Sequence, residues 1–378
     1  EAEDLIETSL DAYLQRAATE AVADGLENLR RRNRRLRSAP LSAALVVLDA
    51  ETGDILAHVG GDPRGGDSFD RVRTARRQPG SAVKPLILLE AFEDCGRRRP
   101  LYPARSVSDR PLRIDLPSGP WTPVNPDGRN RPEVTVREAM VQSLNLPLVR
   151  VAEWCGRRNT ARRMRRAGLA LDKDPPPSFA LGAIETSALE LAAAYSALAS
   201  DGRSVRPRAL TSIRRPSGSG LASIRTRRWR VVSADTSYLI RDVLVEALEP
   251  RATGLPTEAR PFGKTGTSSD RRDAWFAGAL GSVVAVVWVG LDDGAPLGLF
   301  GSQAAFPMWS ELMDTVARVR RTEAPPRPAS VVERWIDEES GLLVQGPRRG
   351  ASSDLFHDRS APRQRKWWRS DPPLDPIG

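Results

Sequence analysis

A hydroxyl and an amine stand three residues apart in Gln78-Pro79-Gly80-Ser81-Ala82-Val83-Lys84-Pro85, at the entrance to the apolar stretch Leu86-Ile-Leu-Leu-Glu-Ala-Phe92. On a helix, positions i and i+3 share a face, so the Lys84 amine is expected within hydrogen-bond reach of the Ser81 hydroxyl. That pairing suits a serine nucleophile with lysine as its base. Pro79 and Gly80 break the preceding segment, and Pro85 is tolerated in a first turn whose backbone donors have no intrahelical partner. Ser81 then sits at the positive end of the helix dipole, an effect of roughly 0.3–1 kcal/mol on nearby negative charge.

A Ser-x-x-Lys tetrad alone also fits a capped helix with a solvated lysine, so composition has to decide. The 378 residues carry 57 Lys plus Arg, and only four are lysine: Lys84, Lys173, Lys264 and Lys366. The chain uses arginine for nearly every generic positive charge. Arginine keeps its proton in a protein whereas a desolvated lysine can become a neutral base, so a lysine retained beside Ser81 points to chemistry. The two histidines, His58 and His357, lie in an apolar strand-like run and in a polar tail. A Ser-His-Asp arrangement is therefore disfavoured.

Two further motifs follow: Ser143-Leu144-Asn145 within Val-Gln-Ser-Leu-Asn-Leu-Pro, and Lys264-Thr265-Gly266-Thr267 within Phe-Gly-Lys-Thr-Gly-Thr. With Ser81 and Lys84 they resemble the three-motif set of penicillin-binding proteins and serine β-lactamases. Trp121-Thr-Pro-Val-Asn-Pro-Asp-Gly, Leu181-Gly-Ala-Ile-Glu-Thr-Ser, Asp273-Ala-Trp-Phe-Ala-Gly and Val287-Trp-Val-Gly-Leu-Asp-Asp look like the transpeptidase domain of class A bifunctional penicillin-binding proteins. The likeness runs from about Asp4 to Met313.

The resemblance implies a serine D,D-transpeptidase that cross-links peptidoglycan stem peptides ending in D-Ala-D-Ala and is acylated by β-lactams. In that reading Ser81 attacks and Lys84 takes its proton, its pKa lowered by an apolar setting and a neighbouring cation. Ser143 relays the proton to the leaving amine, and Asn145 serves both Lys84 and the substrate amide. Lys264 keeps the site positive, Thr265 and Thr267 bind the substrate carboxylate, and Gly266 lets the strand approach without a Cβ. The N–H groups of Ser81 and Thr267 would form an oxyanion hole. Trp121, Asn125 and the stretch Asp273 to Phe276 are expected to wall the groove. Position 144 is Leu where the β-lactamase form has Asp, which favours the transpeptidase branch.

Ala43 to Ala50 and Asp54 to Gly60 read as a hairpin turning at Gly53, and Pro261–Thr267, Asp273–Leu280 and Val283–Leu291 read as three more strands. Val134–Ser143, Val149–Gly168 and Ala188–Ser200 carry helical patterns, and so does Leu10–Arg37, with Asp11 near its start and Gly25 as a possible break. Strands at both ends with helices between imply an α+β fold: one antiparallel sheet built from both chain ends, flanked by helices, plus a helical subdomain, as in the penicillin-binding and serine β-lactamase proteins. The active site is expected between the sheet edge and the helical part. Domains are read as residues 1–38, a linker helix from an absent N-terminal domain; 39–321, the transpeptidase domain; and 322–378, a C-terminal extension. That extension holds a small hairpin near Trp335, too few aliphatics for a core, and the cationic Trp pair in Arg365-Lys-Trp-Trp-Arg, suited to a membrane interface.

The family's proteins carry a membrane anchor and a glycosyltransferase domain, neither of which is found here, and the first residue is Glu1. The chain is therefore expected to belong to a longer protein anchored on the outer face of the cytoplasmic membrane, with protein activators as possible partners. Its net charge of +9 fits an anionic partner such as lipid headgroups or a carboxylate-bearing wall polymer. Nucleic acid is disfavoured, because no aromatic residues interleave with the basic run Arg30–Arg37. No metal site or cofactor is expected. Cys95 and Cys155 are read as two buried thiols, with a bridge as the alternative. A D,D-carboxypeptidase or β-lactamase and a non-catalytic penicillin sensor are the competing functions. No Glu-x-x-Leu-Asn-like loop lies between Asn145 and Lys264 to activate water, and Glu185 is read as a helix cap.

Overall fold

Near-continuous apolar runs such as Leu41–Asp49 and Val283–Leu291 mark strands covered on both faces. In the computed structural model, which describes residues 4–66, 68–97, 100–215, 220–251, 254–337, 343–347, 349–358 and 374–376, these two strands lie side by side at the centre of the molecule. Five strands, β1 (Leu41–Asp49), β2 (Ile55–Val59), β3 (Phe262–Thr267), β4 (Asp273–Leu280) and β5 (Val283–Leu291), form an antiparallel sheet ordered β3-β4-β5-β1-β2. The chain ends meet where β5 pairs with β1, in register from Leu41 opposite Leu291 to Asp49 opposite Val283. Strand β3, which carries the Lys-Thr-Gly-Thr motif, is one edge of this sheet and so offers backbone groups to a ligand.

The two-residue period of β1 sends Ala44, Val46 and Leu48 into one core and Leu45 and Val47 into another. Eight α-helices lie among the described residues: α1 (Ala12–Arg32), α2 (Lys84–Ala91), α3 (Val136–Val141), α4 (Leu146–Cys155), α5 (Arg157–Ala167), α6 (Ala188–Ala199), α7 (Ala234–Leu248) and α8 (Gly301–Val319). Helices α1 and α8 cover one face of the sheet through Leu14, Val22, Leu26, Met308, Trp309 and Leu312. Helices α2, α4, α6 and α7 contribute to the core on the other face.

Asp11 caps α1, its carboxylate accepting from the N–H groups of Tyr13 and Leu14. Gly25 does not break this helix. A Cβ there would press to 2.5 Å from Met308 of α8, so the glycine is a close-packing device between the two outer helices. The helix expected to be a linker packs as a layer on the sheet.

The long helix expected over 149–168 is two helices, broken at Gly156 with φ +86°. Helix α3 starts later than its periodicity implied, because Arg131–Thr135 pairs as a strand with Ser106–Asp109. Thr135 then opens the helix through a capping box with Glu138. Glu185 is not a helix cap. Ser187 and Glu190 form the box at the start of α6, while exposed Glu185 accepts from Arg76 through its carbonyl.

Cys95 and Cys155 are a disulfide rather than two thiols. The bridge joins the turn after α2 to the end of α4, so it ties together the helices that follow two of the three motifs. The C-terminal extension forms a three-stranded sheet from Val331–Asp337, Leu343–Val344 and Ala351–His357. Ile336 and Phe356 give it a small core with Tyr102 and Ala104, and Asp354 pairs with Arg137 at 2.5 Å. The stretch Arg365-Lys-Trp-Trp-Arg lies outside the described residues.

Candidate active site

Ser81 lies in a 3-10 turn, Gly80–Val83, that runs into α2. In a 3-10 turn side chains at i and i+3 eclipse, so Ser81 and Lys84 share a face there as they would on an α-helix. Gly80 is essential to this turn. Its φ is +52°, and a Cβ on it would overlap the carbonyl oxygen of Thr267, while one on Gly266 would overlap that of Pro79. Two glycines therefore let the Ser81 turn lie directly on the end of β3. The turn is anchored twice more: the Tyr195 hydroxyl of α6 donates to the Ala82 carbonyl at 2.6 Å, and Trp275 Nε1 of β4 donates to the Gln78 carbonyl at 2.9 Å.

Lys84 is fully buried. Its Nζ donates to the Ser143 carbonyl at 2.7 Å, the Leu144 carbonyl at 3.2 Å and Asn145 Oδ1 at 2.7 Å, and stands 3.5 Å from Ser143 Oγ. Burial lowers the Lys84 pKa well below the usual lysine value, and the positive charge of Lys264 lowers it further. No hydrogen bond joins Lys84 to Ser81 among the described residues, contrary to the direct contact that the spacing predicts. The three nearest acceptors match the three protons of an ammonium group. To receive the Ser81 proton, Nζ must first be the neutral amine, which releases one acceptor and presents a lone pair.

The acceptors exist because Ser143 adopts φ +58°, a left-handed conformation that costs a non-glycine residue on the order of 1–3 kcal/mol. The turn between α3 and α4 thereby aims two successive carbonyls at Nζ. Leu144 points away from the site into the core, 1% exposed, so a leucine here leaves the polar cluster untouched. Asn145 Nδ2 donates to the Val124 carbonyl at 2.6 Å.

Asn125 stands behind this arrangement and does not face the groove. It is buried; its Oδ1 accepts from the N–H groups of Asn145 and Leu146, and its Nδ2 donates to Asp109 and the Arg129 carbonyl. Its amide is fully occupied, which makes it a positioning residue for Asn145. Asp273, Trp275 and Phe276 are likewise buried interior residues of β4, not groove walls. Trp121 is half-buried in a hairpin of Ile114–Leu116 with Gly119–Trp121 and packs on the core.

Across the cleft, Lys264 Nζ donates to Ser143 Oγ at 2.9 Å. Burial lowers the Lys264 pKa to about 8, with Arg251 acting in the same direction. Ser143 Oγ thus lies between two desolvated lysines, one on a helix and one on a strand. Thr265 and Thr267 are half-buried along β3, and Thr267 Oγ1 accepts from the Gly301 N–H at 3.2 Å. Among the described residues, none of Ser81, Lys84, Ser143, Asn145 and Lys264 is hydrogen-bonded to a carboxylate, and no cluster of three or more His, Cys, Asp or Glu suits a metal ion. Sequence reasoning missed Tyr195. Its signal was a lone phenol inside the alanine-rich helix 188–199, since a buried Tyr hydroxyl needs an acceptor.

A sheet with helices on both faces carries this polar cluster at its edge strand, and comparison with known proteins gives the family. Residues 43–313 match the penicillin binding protein transpeptidase domain, and the chain belongs to that family. Penicillin-binding protein 1B of Vibrio cholerae is 31% identical over 312 residues, covering 81% of this chain and 39% of the relative. Penicillin-binding protein 1B of Escherichia coli is 28% identical over 352 residues, 90% of this chain and 40% of the relative. The chain thus spans about two-fifths of the length of these curated relatives. Among solved structures, penicillin-binding protein 1A from Haemophilus influenzae superposes with a TM-score of 0.84 at 22% identity, over 96% of this chain and 73% of that one. The PonA1 protein from Mycobacterium tuberculosis in complex with penicillin V gives 0.72 at 24% identity, over 86% and 89%. The fold expected from the sequence is therefore the fold of this family.

Proposed function

We propose that this chain is the transpeptidase domain of a class A penicillin-binding protein, joining peptidoglycan stem peptides through a Ser81 acyl-enzyme. The observation that carries the reading is Ser143 Oγ poised between Lys84 and Lys264, both buried and both lowered in pKa. Neutral Lys84 accepts the Ser81 proton as Oγ attacks the penultimate D-Ala carbonyl. The N–H groups of Ser81 and Thr267 hold the oxyanion. Collapse breaks the peptide bond, and the proton passes from Lys84 through Ser143 Oγ to the departing D-Ala amine. An acceptor amine then attacks the ester, gives its proton to Lys84, and restores the Ser81 hydroxyl. Protonated Lys264 and the Thr265 and Thr267 hydroxyls take the substrate's terminal carboxylate.

The lack of a carboxylate bonded to the cluster favours transfer over hydrolysis. General-base assistance is worth typically 10²–10⁴-fold, and among the described residues no carboxylate is bonded to the cluster to activate water on this acyl-enzyme. The Cys95–Cys155 disulfide fits an oxidising compartment, which supports the reading that the domain works on the outer face of the cytoplasmic membrane. Among the described residues no helix is long and apolar enough to cross a membrane.

The test is turnover with a D-Ala-D-Ala donor and an amine acceptor, alongside intact-mass spectrometry after penicillin treatment. The expected result is a cross-linked product and a single adduct on Ser81 that persists for many minutes. Free enzyme within seconds and penicilloate accumulating past one turnover would assign the chain to the hydrolases instead. Acylation without any turnover would leave a sensor.

A further inference from the structure

The strand that carries Lys264 and Thr265 is followed by a cation that the proposed reaction does not use. Immediately after β3, the turn Ser269–Arg271 places the Arg271 guanidinium carbon 4.4 Å from the centroid of the Phe300 ring. Phe300 is 44% exposed and precedes Gly301, whose N–H binds Thr267 Oγ1. The stacked pair therefore stands at the downstream end of the same edge strand, on the solvent side.

We infer that Arg271, mounted on Phe300, is a subsite for a carboxylate on the acyl side of the donor, upstream of the scissile bond. This rests on the transpeptidase reading, which sets the direction of the bound chain. With the terminal carboxylate at Lys264 and Thr265 and the scissile carbonyl at the Thr267 N–H, the rest of the donor runs past Thr267 towards residues 268–272. The ligand class is an acyl donor with a free carboxylate there: a stem peptide with an acidic side chain, or a β-lactam with a carboxylate on its acylamino arm.

Arg271 and its neighbour Arg272 differ in a way that fits this role. Arg272 lies 3.6 Å from Asp270 and donates to the Gly294 carbonyl at 2.9 Å, whereas Arg271 is exposed and has no carboxylate partner among the described residues. One face of the Arg271 guanidinium lies on the ring. Its edge N–H groups stay free for a two-point contact with a carboxylate, a geometry lysine cannot match.

The backbone under Arg271 is fixed. Asp270 and Arg271 are successive non-glycine residues at φ +58° and +52°, a conformation that persists only where the surroundings over-determine it. Here the Arg271 N–H donates to the Ser268 carbonyl at 3.1 Å, the Gly298 N–H donates to the Arg271 carbonyl at 2.9 Å, and Ser268 Oγ bonds Asp273 at 2.9 Å.

Two penicillins that differ by one carboxylate test this directly. Carbenicillin is benzylpenicillin with a carboxylate on the acylamino arm, and the quantity to measure is the ratio of their second-order rates of Ser81 acylation. Arg271→Ala should lower the carbenicillin-to-benzylpenicillin ratio by about fivefold, as for one partly exposed charge pair, and Arg271→Lys should recover part of that loss. In the unmodified protein, salt raised from about 0.05 to about 0.5 M should lower the ratio, and Arg271→Ala should flatten that dependence. A ratio indifferent to both Arg271→Ala and salt overturns the subsite while leaving the acyl-transfer reading intact. Failure of both penicillins to acylate the unmodified protein overturns the two together.

Discussion

Lys84 and Lys264 face one another across Ser143, and the regions that hold them are built differently. On the helical side almost every polar group already has a protein partner: three acceptors surround Lys84, Asn125 fixes Asn145, and Tyr195 holds the Ala82 carbonyl. On the strand side β3 is the edge of the sheet among the described residues, Thr265 and Thr267 are half-buried, and Arg271 is exposed. In the proposed reaction, reactivity would come from groups fixed and dried before substrate arrives, and recognition from the strand edge. The two lysines share burial as the main cause of their lowered pKa, but only Lys84 is ringed by acceptors that must be partly released for it to act as a base.

The largest effect should come from the helical side. Lys84→Arg keeps the charge and removes the base, so penicillin acylation of the folded variant should drop by about 10²–10⁴-fold or more. Arginine is larger than the fully buried site it would enter, so Lys84→Met serves as the volume-matched companion. Acylation near the parent rate in either folded variant would remove Lys84 from the role of base.

That comparison explains which parts of the molecule were legible in the sequence. The sheet was readable because β1 and β5 are continuous apolar runs, and the three motifs because chemistry needs those residue types near one another. The fixing of the helical side was not readable, since it depends on backbone: the left-handed turn at Ser143 and the two carbonyls it aims at Lys84 have no side-chain signature. Asn125 was singled out from its motif and given a groove role. Whether an amide faces ligand or neighbour is set by the fold around it, and here it faces Asn145. The pairing of Cys95 with Cys155, 60 residues apart, needed the packing of α2 against α4 to be seen.

That disulfide sharpens the contrast at the next level of size. It braces the helical side and leaves β3 alone. Closing a loop of 60 residues is worth about 4 kcal/mol in the chain-entropy account. A Cys95→Ala/Cys155→Ala double variant should lose stability of about that size in denaturant unfolding. An unfolding free energy equal to that of the parent would show that the helices hold together without the brace.

The strand side has its own signature in pH. The Lys264 pKa is about 8 in the folded protein against 10.5 ordinarily. Between those values the unfolded chain holds a proton that the folded protein has lost, so stability rises with pH across the window. At 1.36 kcal/mol per unit the rise approaches roughly 3 kcal/mol. Lys84 adds to it with the same sign. Lys264→Met should remove the Lys264 share, and the difference between variant and parent in urea unfolding at about pH 7.5 and about pH 10 isolates it from other titrations. An identical pH slope in both proteins would mean that Lys264 is not desolvated.

Tyr195 gives the smallest effect and the finest test of how the nucleophile turn is held. Its hydroxyl and the Ala82 carbonyl are both inside the protein, and burial also pushes the phenol pKa upward, so it remains a neutral donor through the working pH range. Tyr195→Phe deletes only that oxygen and leaves a buried carbonyl without this donor, a loss of about 1–3 kcal/mol in stability. The ring stays in the buried core that α6 shares with β1 and β5, so the fold should survive. If the bond also fixes the height of Ser81 over Lys84, acylation by penicillin should slow by a few-fold, well short of the loss on replacing Lys84. A stability loss with no change in acylation would place Tyr195 in the core alone. The position of Ser81 would then rest on Gly80, Gly266 and the Trp275 bond to Gln78, all of them contacts with β3 and β4. That outcome would shift the control of the nucleophile from the helical side of the cleft to the strand side.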